Sequence, residues 1–171
     1  MDKLIHKSLS DHDIYKYLNE KCNIVLYSDL KTFNNIDDVL GKYKKCVILY
    51  QSGINYGHWT CIFKNKTPNT IFFFDSYGII LDHENKNVSK NIRDALHIYK
   101  NYLSELILKT KYKIDYNQFQ FQQYKTGYNT CGRWVCWRLK HSDKSTDEFY
   151  EDFKPFKNKD CIITLLTNQI K

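Results

Sequence analysis

Cys131 and Gly132 stand where a polar loop changes into an apolar, tryptophan-rich segment, TGYNTCGRWVCWRL. This change predicts a helix that begins near Thr130 or Cys131. Unpaired backbone N–H groups and the helix dipole at such a position favour the thiolate, which is the nucleophilic form of cysteine. Position alone does not make a nucleophile, because a catalytic cysteine also needs a base within hydrogen-bond reach and a third group that orients the base.

His58 and Asp75 are the candidates for the base and the orienting group. His58 opens one predicted strand, in NYGHWTC, and Asp75 closes the next, in FFFDSYG. Two antiparallel strands of about five to six residues would bring these ends to one edge of a sheet. The imidazole could then bond the carboxylate through one nitrogen and face the sulfur with the other. The backbone N–H of Cys131 and the amide of Gln122 or Gln123 could stabilise the oxyanion that forms when a thiolate attacks a carbonyl.

Each of these residues also has a structural interpretation. Taken alone, His58 is more often a core or turn histidine, Asp75 a turn former, and Cys131 a small buried apolar side chain. Gly132 could mark only the turn. The order His, Asp, Gln and Cys-Gly, each at a predicted element boundary, favours catalysis. The remaining histidines are assigned to the surface or to helix faces: His6, His12, His83, His97 and His141.

Hydrophobic periodicity predicts the elements that position these residues. Ser10 is a candidate N-cap for a helix in SDHDIYKYLNEKC, and a long amphipathic helix is predicted over residues 91–110. Strands are predicted for NIVLYS, KCVILYQ, HWTCIFK, NTIFFFDS and KIDYNQFQFQQY. The uniformly apolar TIFFFD is typical of a strand covered on both faces. Weaker helical patterns around STDEFYEDF and DCIITLLTNQI complete an α+β fold with a mixed central sheet flanked by helices.

Composition excludes several classes of protein. The 171 residues, 42% of them hydrophobic, are enough to bury one core, so residues 1–171 are predicted to form a single domain. There is no apolar segment of about 18 residues to span a membrane and no apolar leader at the start, which predicts a soluble, intracellular protein. The cysteines are scattered without a CxxC pair: Cys22, Cys46, Cys61, Cys131, Cys136 and Cys161. Reduced thiols are therefore expected, and no metal site is predicted.

Four residues near these motifs are assigned mainly to packing. Cys136 lies five residues after Cys131, away from the face of the helix that carries the nucleophile, and Cys61 shares a strand face with Trp59. Arg133 and Trp134 follow the start of the helix directly and are expected to pack it.

The motifs GHW, FDSYG and a glutamine ahead of NTCGRWV, in this order, resemble the Ulp1/adenain-type cysteine proteases. In that superfamily a His-Trp pair begins a strand, an acidic residue or Asn ends the next strand, a glutamine precedes the nucleophile, and Cys-Gly opens the central helix. Papain-like enzymes have the cysteine before the histidine. The specific motifs cover residues 58–139.

The resemblance implies roles for the matching residues: Cys131 as nucleophile, His58 as general base and then acid, Asp75 as the group that orients His58, and Trp59 and Gly132 in substrate binding. Gln122 or Gln123 would supply the side-chain donor to the oxyanion. The loop after Gln123 is slightly longer than in the best-known members, so both glutamines are kept as candidates.

Two functions within the superfamily compete: maturation of virion proteins of double-stranded DNA viruses, and removal of SUMO-like modifiers. The compact chain and the NTCGRWV motif are most similar to the maturation proteases of adenoviruses, virophages and giant DNA viruses, which favours the first function. The resemblance implies a thiol endopeptidase that cleaves capsid and core precursors near small residues, in the host cell and the virion. An isopeptidase and a catalytically silent binding protein are the alternatives.

The net charge is +7 and the isoelectric point is near 9.0. The lysines are spread along the chain, which is more typical of a solvated surface than of one nucleic-acid groove. Nonspecific attraction to DNA inside a particle is a further hypothesis. An activating peptide or DNA is kept open as a cofactor, and a monomer without membrane contact is expected.

Overall fold

A computed structural model describes residues 2–53 and 56–170, and in these residues five strands form one sheet. The strands are β1 Asn23–Leu26, β2 Lys45–Gly53, β3 Tyr56–Phe63, β4 Thr70–Asp75 and β5 Lys113–Tyr116. They are neighbours in chain order. The two outer pairs are parallel and the two inner pairs are antiparallel. The predicted mixed sheet is therefore confirmed.

Helices flank the sheet, as predicted for an α+β fold. They are α1 Asp2–Ile5, α2 Asp11–Tyr17, α3 Ile36–Leu40, α4 Lys90–Ala95, α5 Tyr102–Leu108, α6 Cys131–Lys140, α7 Thr146–Phe153 and α8 Lys159–Leu166, with 3₁₀ helices at Tyr27–Thr32 and His83–Asn87. Ser10 caps α2 as predicted, because its hydroxyl accepts from the Asp13 N–H at 3.1 Å. The Asp13 carboxylate accepts in return from the Ser10 N–H, also at 3.1 Å.

Both faces of β4 are covered, as its uniformly apolar sequence predicts. Phe72 and Phe74 belong to the core cluster that also contains Trp134 of α6. Ile71 and Phe73 point to the opposite face and belong to the cluster that α5 covers. The sheet is thus held between two apolar layers, and α6 packs directly against the strands that carry His58 and Asp75.

The prediction of one long helix over residues 91–110 is wrong, because the chain turns between α4 and α5. His97 has a left-handed backbone with φ of 55°. The Ile98 N–H bonds the Arg93 carbonyl at 2.8 Å, and the His97 N–H bonds the Asp94 carbonyl at 3.1 Å. These two bonds form a Schellman motif that ends α4. Glycine usually occupies the left-handed position, so a histidine there gave no signal in the sequence.

The last predicted strand is also shorter than KIDYNQFQFQQY. β5 ends at Tyr116, and the side chain of Asn117 then takes the place of a strand partner. Its amide oxygen accepts from the Asp75 N–H at 3.0 Å, and its amide nitrogen donates to the Asp75 carbonyl at 2.6 Å. The alternation after Asn117 therefore belongs to an irregular segment that runs beside the end of β4.

The packing assignments near the motifs are confirmed. Cys61, Cys136, Arg133 and Trp134 are all fully buried. All six cysteines are free thiols. Among residues 2–53 and 56–170, no helix has the length and apolar character needed to cross a membrane.

Candidate functional site

The sheet brings His58 and Asp75 together. In the antiparallel pair of β3 and β4, Asp75 is the register partner of Thr60, two residues after His58 on the same face of β3. The His58 Nε2 atom lies 2.9 Å from the Asp75 Oδ1 atom. The side chain of Asp75 is 1% exposed and that of His58 is 12% exposed. The pair is therefore almost completely shielded from solvent, and the imidazole is its more exposed member.

Backbone and side-chain groups fix the Asp75 carboxylate. Its Oδ1 atom also accepts the Tyr77 N–H at 2.7 Å, and Asn117 bonds both backbone groups of Asp75. Its Oδ2 atom is buried without a hydrogen-bond partner in the described residues. The Oδ1 atom thus bonds both His58 and the Tyr77 N–H, whereas the Oδ2 atom has no partner among the described residues.

The charge of Asp75 governs the ionisation of His58. Burial favours the neutral imidazole and by itself would lower its pKa. The Asp75 charge, the hydrogen bond to Asp75 and the nearby Cys131 thiol outweigh burial and hold the pKa of His58 well above its usual 6.5. Nε2 bonds the carboxylate, so Nδ1 is the nitrogen available to the thiol. The arrangement therefore favours an imidazolium ion next to the cysteine.

Cys131 is the first residue of α6, as predicted, and Gly132 follows it in the first turn. Together with His58, Cys131 borders a cavity of about 150 Å³. It is half-buried, as is Cys161, whereas the other four cysteines are buried. Burial raises the pKa of Cys22 to about 11, and it also raises the pKa values of Cys46, Cys61 and Cys136. Burial thus disfavours the thiolate at those four positions.

The structure separates the two candidate glutamines. Gln122 is buried and borders the same cavity as Cys131. Its amide nitrogen donates to the Tyr128 carbonyl at 3.0 Å and to the Tyr77 hydroxyl at 3.2 Å. Gln123 borders a different surface depression, and its backbone N–H donates to Asp160 at 2.9 Å. The geometry therefore brings Gln122, and not Gln123, to the side of Cys131.

Leu9 and Trp59 pack closely against Gly132, the residue after Cys131, and Trp59 does not border the cavity shared by His58 and Cys131. The Trp59 indole N–H donates to the Leu9 carbonyl at 2.9 Å, which fixes the plane of the ring. A Cβ atom added to Gly132 would lie 3.0 Å from Leu9 Cβ and 3.2 Å from Trp59 Cδ1. These distances are shorter than ordinary Cβ contacts, so a side chain would displace Leu9 or Trp59 slightly, and glycine lets the start of α6 approach β3 closely.

Asp160 is a buried residue of the site region that the sequence did not reveal. It lies in the first turn of α8 and accepts bonds from three groups: the Gln123 N–H, the Thr130 hydroxyl at 2.5 Å and the Trp134 indole at 3.2 Å. These contacts join both ends of the loop over residues 123–130 to α6. Asp160 stands in an ordinary helix-start pattern, and nothing nearby in the sequence relates it to Cys131.

Tyr77 is a second residue of the site for which the sequence predicted no role, although it lies in the FDSYG motif. Its ring stacks on His58 with centroids 4.7 Å apart and on Tyr124 with centroids 4.3 Å apart. Burial, followed by the charges of Cys131 and Asp75, raises the pKa of Tyr77, so its hydroxyl stays protonated. Tyr77 therefore covers the imidazole and also contacts the Gln122 amide.

Glu84 completes a cluster of metal-ligating atoms with His58 and Asp75, which was not predicted. One ligand atom from each of these side chains lies within 4.8 Å of the other two. A divalent cation at this position would compete with the 2.9 Å hydrogen bond between His58 and Asp75. Metal binding and an imidazole oriented by Asp75 are therefore alternative uses of the same atoms.

Similar proteins were found by sequence and by structure. No family model matches the chain. Three solved structures of the SUMO protease Ulp1 are similar, one of them in complex with SMT3, the yeast ortholog of SUMO. They are 17–19% identical to the chain, cover 96–97% of it and 80% of their own chains, and have TM-scores of 0.43–0.45. Sequence identity and TM-scores this low do not define the activity of the chain.

One curated relative covers nearly the whole chain. Uncharacterized protein V9 of Sputnik virophage is 41% identical over 167 residues, which are 94% of this chain and 94% of the relative. Identity at this level over this length extends through the elements that carry the site. The chain belongs to the same protein family as protein V9 of Sputnik virophage.

Proposed function

We propose that this protein is a cysteine endopeptidase in which Cys131 is the nucleophile, His58 the general base and acid, and Asp75 the group that orients His58. The observation that carries the proposal is the position of one imidazole, which bonds a buried carboxylate on one side and borders the half-buried thiol on the other. The other histidines lie on the surface or at helix ends, four of the other cysteines are buried, and Cys161 does not border the cavity of this imidazole.

The proposed reaction begins with the Cys131 thiolate paired with the His58 imidazolium. The sulfur attacks the substrate carbonyl carbon, a C–S bond forms, and the carbonyl electron pair moves onto oxygen. Collapse of this intermediate breaks the C–N bond, and the imidazolium gives its proton to the leaving amine. Water then attacks the thioester while His58 removes its proton, and cleavage of the C–S bond releases the acid and restores the thiolate.

Gln122 is the proposed side-chain donor to the oxyanion, together with the Cys131 backbone N–H. The Gln122 amide nitrogen makes two bonds, of which the one to the Tyr77 hydroxyl, at 3.2 Å, is the longer. In the substrate complex the developing oxyanion would replace Tyr77 as the acceptor. Such a donor typically contributes about 10²–10³-fold to kcat.

The acyl part of the substrate is proposed to lie beside Trp59. Leu9 and Trp59 pack closely against Gly132 and form a wall at the residue that follows the nucleophile. A glycine or alanine at the scissile carbonyl would pass this wall, and a bulky residue would clash with the indole ring. The substrate is therefore proposed to be an extended protein segment with small residues at the cleavage position.

Capsid and core precursors are the proposed substrates, with cleavage in the virion or the infected host cell, and the virophage origin of the relative fits a viral substrate. A net charge of +7 fits a monomeric enzyme held near its substrates by nonspecific attraction to packaged DNA. Binding to duplex DNA that weakens steeply between 50 and 200 mM salt is the expected behaviour. Binding that does not depend on salt, or no binding to DNA, would contradict a role of the positive charge in holding the enzyme near DNA.

Intact-mass analysis with a thiol-directed electrophile on a short Gly/Ala-rich peptide tests the catalytic assignment. A single adduct is expected on the wild type and on Cys161→Ala, which removes the other half-buried thiol and is the matched control. Cys131→Ala should give no adduct, and His58→Ala should slow labelling by about 10²-fold or more. Labelling spread over several cysteines and insensitive to His58 would favour a catalytically silent binding protein.

A second assay distinguishes the endopeptidase from an isopeptidase. The wild type is incubated with a linear Gly-Ala peptide and with the same acyl peptide joined through the ε-amine of lysine. Preference for the linear bond supports precursor cleavage. Exclusive cleavage of the ε-linked bond would replace the endopeptidase proposal by removal of a ubiquitin-like modifier.

A further inference from the structure

The cavity next to Cys131 has chemistry that the proposed mechanism does not use. Besides His58 and Cys131 it is bordered by Tyr77, Tyr128 and the carboxylate of Glu84. Glu84 is half-buried and makes no hydrogen bond or ion pair within residues 2–53 and 56–170. A carboxylate removed from water without a partner is costly, so a complementary group from outside the chain would stabilise it.

Glu84 is held in place and does not lie on a loose loop. It is part of the 3₁₀ helix His83–Asn87, which follows the buried Asp82. Asp82 accepts the Tyr27 hydroxyl at 2.5 Å and the Ser104 N–H at 2.8 Å, and its own N–H donates to the Tyr50 hydroxyl at 3.1 Å. Tyr50 is the strand partner of His58. This chain of contacts fixes Glu84 relative to the imidazole.

The positive charge beside Glu84 is that of His58, which is already hydrogen-bonded to Asp75. Burial raises its pKa, the positive charge of His58 lowers it, and the negative charge of Asp75 raises it again. Lys125 contacts the ring of Tyr128, with its ammonium 4.7 Å from the centroid, but in the described part of the chain it forms no ion pair with Glu84. The cavity therefore presents an unpaired carboxylate beside aromatic rings.

This combination matches the chemistry of an ammonium group. The ammonium can pair with a desolvated carboxylate and can contact the Tyr128 ring, which already has the Lys125 ammonium 4.7 Å from its centroid, whereas the Tyr77 ring stacks on His58 and Tyr124. A cavity of about 150 Å³ holds about six non-hydrogen atoms, the size of benzene, and the lysine side chain has five beyond its Cα. The cavity is bordered by His58, which in the proposed mechanism gives its proton to the leaving amine.

We propose that Glu84, with Tyr128, is a specificity site for a lysine side chain on the leaving-group side of the scissile bond. The proposal rests on the proposed endopeptidase function and names a feature of its substrates. The cleavage segment would then combine a small residue at the scissile carbonyl with a lysine directly after it.

The catalytic test compares two peptides that differ only in lysine or norleucine after the scissile bond. For the wild type and for Glu105→Gln, an exposed control, kcat/KM should be about tenfold or more higher with lysine, because a charge-assisted contact in a desolvated site is lost with norleucine. Glu84→Gln should bring the ratio close to one, and Glu84→Asp should retain part of the preference. Equal losses with both peptides would instead assign Glu84 to positioning His58 and would overturn the proposal.

A binding test separates this proposal from the proposed catalysis. Fluorescence anisotropy with Cys131→Ala measures binding of the leaving-side product peptide that begins with lysine or norleucine, with a chelator present to keep cations off His58, Asp75 and Glu84. Tighter binding of the lysine peptide that is lost in Cys131→Ala/Glu84→Gln supports the site even if no peptide is cleaved. Equal binding of both peptides overturns the site even if cleavage is efficient.

Discussion

The Ser76 hydroxyl donates a 2.8 Å hydrogen bond to the amide oxygen of Gln122, and both side chains are buried. Ser76 directly follows Asp75, so the segment that ends β4 orients two parts of the proposed site. The Ser76 carbonyl also accepts the backbone N–H groups of Phe121 and Gln122. Since the oxygen of the amide is engaged by Ser76, its N–H groups must point to the cavity beside Cys131.

Replacement of Gln122 tests whether this amide stabilises the oxyanion. Gln122→Ala should lower kcat by about 10²–10³-fold, because a preorganised donor is lost from a site with little water. Gln123→Ala is the matched control, since its side chain lies outside the cavity, and it should stay within about threefold of the wild type. Peptide hydrolysis under saturating substrate measures both. The reverse ranking of the two variants would move the assignment to Gln123.

Replacement of Asp75 tests the origin of the ionisation of His58. In Asp75→Asn the attraction is lost and burial remains, so the pKa of His58 should fall from well above 6.5 to 6.5 or below. NMR titration of the imidazole in a Cys131→Ser background measures this shift. If the pKa of His58 stays high in Asp75→Asn, another negatively charged group, such as Glu84, stabilises the imidazolium ion.

The same shift predicts how stability depends on pH. A pKa raised on folding contributes stability that is fully present below the unfolded value near 6.5 and is lost as the pH rises through the folded value. The difference in the free energy of unfolding between wild type and Asp75→Asn should therefore be larger at pH 6 than at pH 10. Urea denaturation at the two pH values measures it. A difference that grows with pH would contradict the direction of the shift.

Thr130 tests whether Asp160 positions the nucleophile through the preceding loop. Thr130→Val removes the hydroxyl that donates to the Asp160 carboxylate, directly before Cys131. We expect a loss of about 1–3 kcal/mol in stability and a lower kcat. Thr164→Val is the matched control, because this buried hydroxyl bonds only the Asp160 carbonyl within α8. Equal effects of both variants on kcat would limit Asp160 to a structural role.

Asn117 tests whether the end of β5 supports Asp75. Asn117→Ala leaves the backbone N–H of Asp75 without its partner in a buried setting, and it leaves the Asp75 carbonyl bonded to the Gly78 N–H at 2.9 Å. Stability should fall by about 1–3 kcal/mol, and kcat should fall because the carboxylate is no longer fixed. Asn65→Ala, which removes a bond to the Ser142 carbonyl, serves as the control and should leave kcat unchanged. Unchanged kcat in both variants would show that Tyr77 and His58 suffice to orient Asp75.

The sequence alone determined the elements whose signals are local. Alternation and uniform apolarity predicted the strands, and the predicted start of α6 near Cys131 agrees with the structure. The positions of His58 and Asp75 at strand ends followed from the same periodicity, because antiparallel neighbours bring such ends together. The capping box is likewise local, because Ser10 and Asp13 are only three residues apart.

Only the tertiary structure decided features that depend on residues far apart in the chain. The break at His97 uses a left-handed residue without glycine, so no local signal marked it. Adjacent glutamines look equivalent in the sequence, and contacts with Ser76 and Asp160 separate them. Glu84 reaches the cavity because Asp82 is anchored to distant tyrosines. Hydrophobic periodicity reports which face of an element is buried, whereas the partners of a buried polar group are set by how the elements pack.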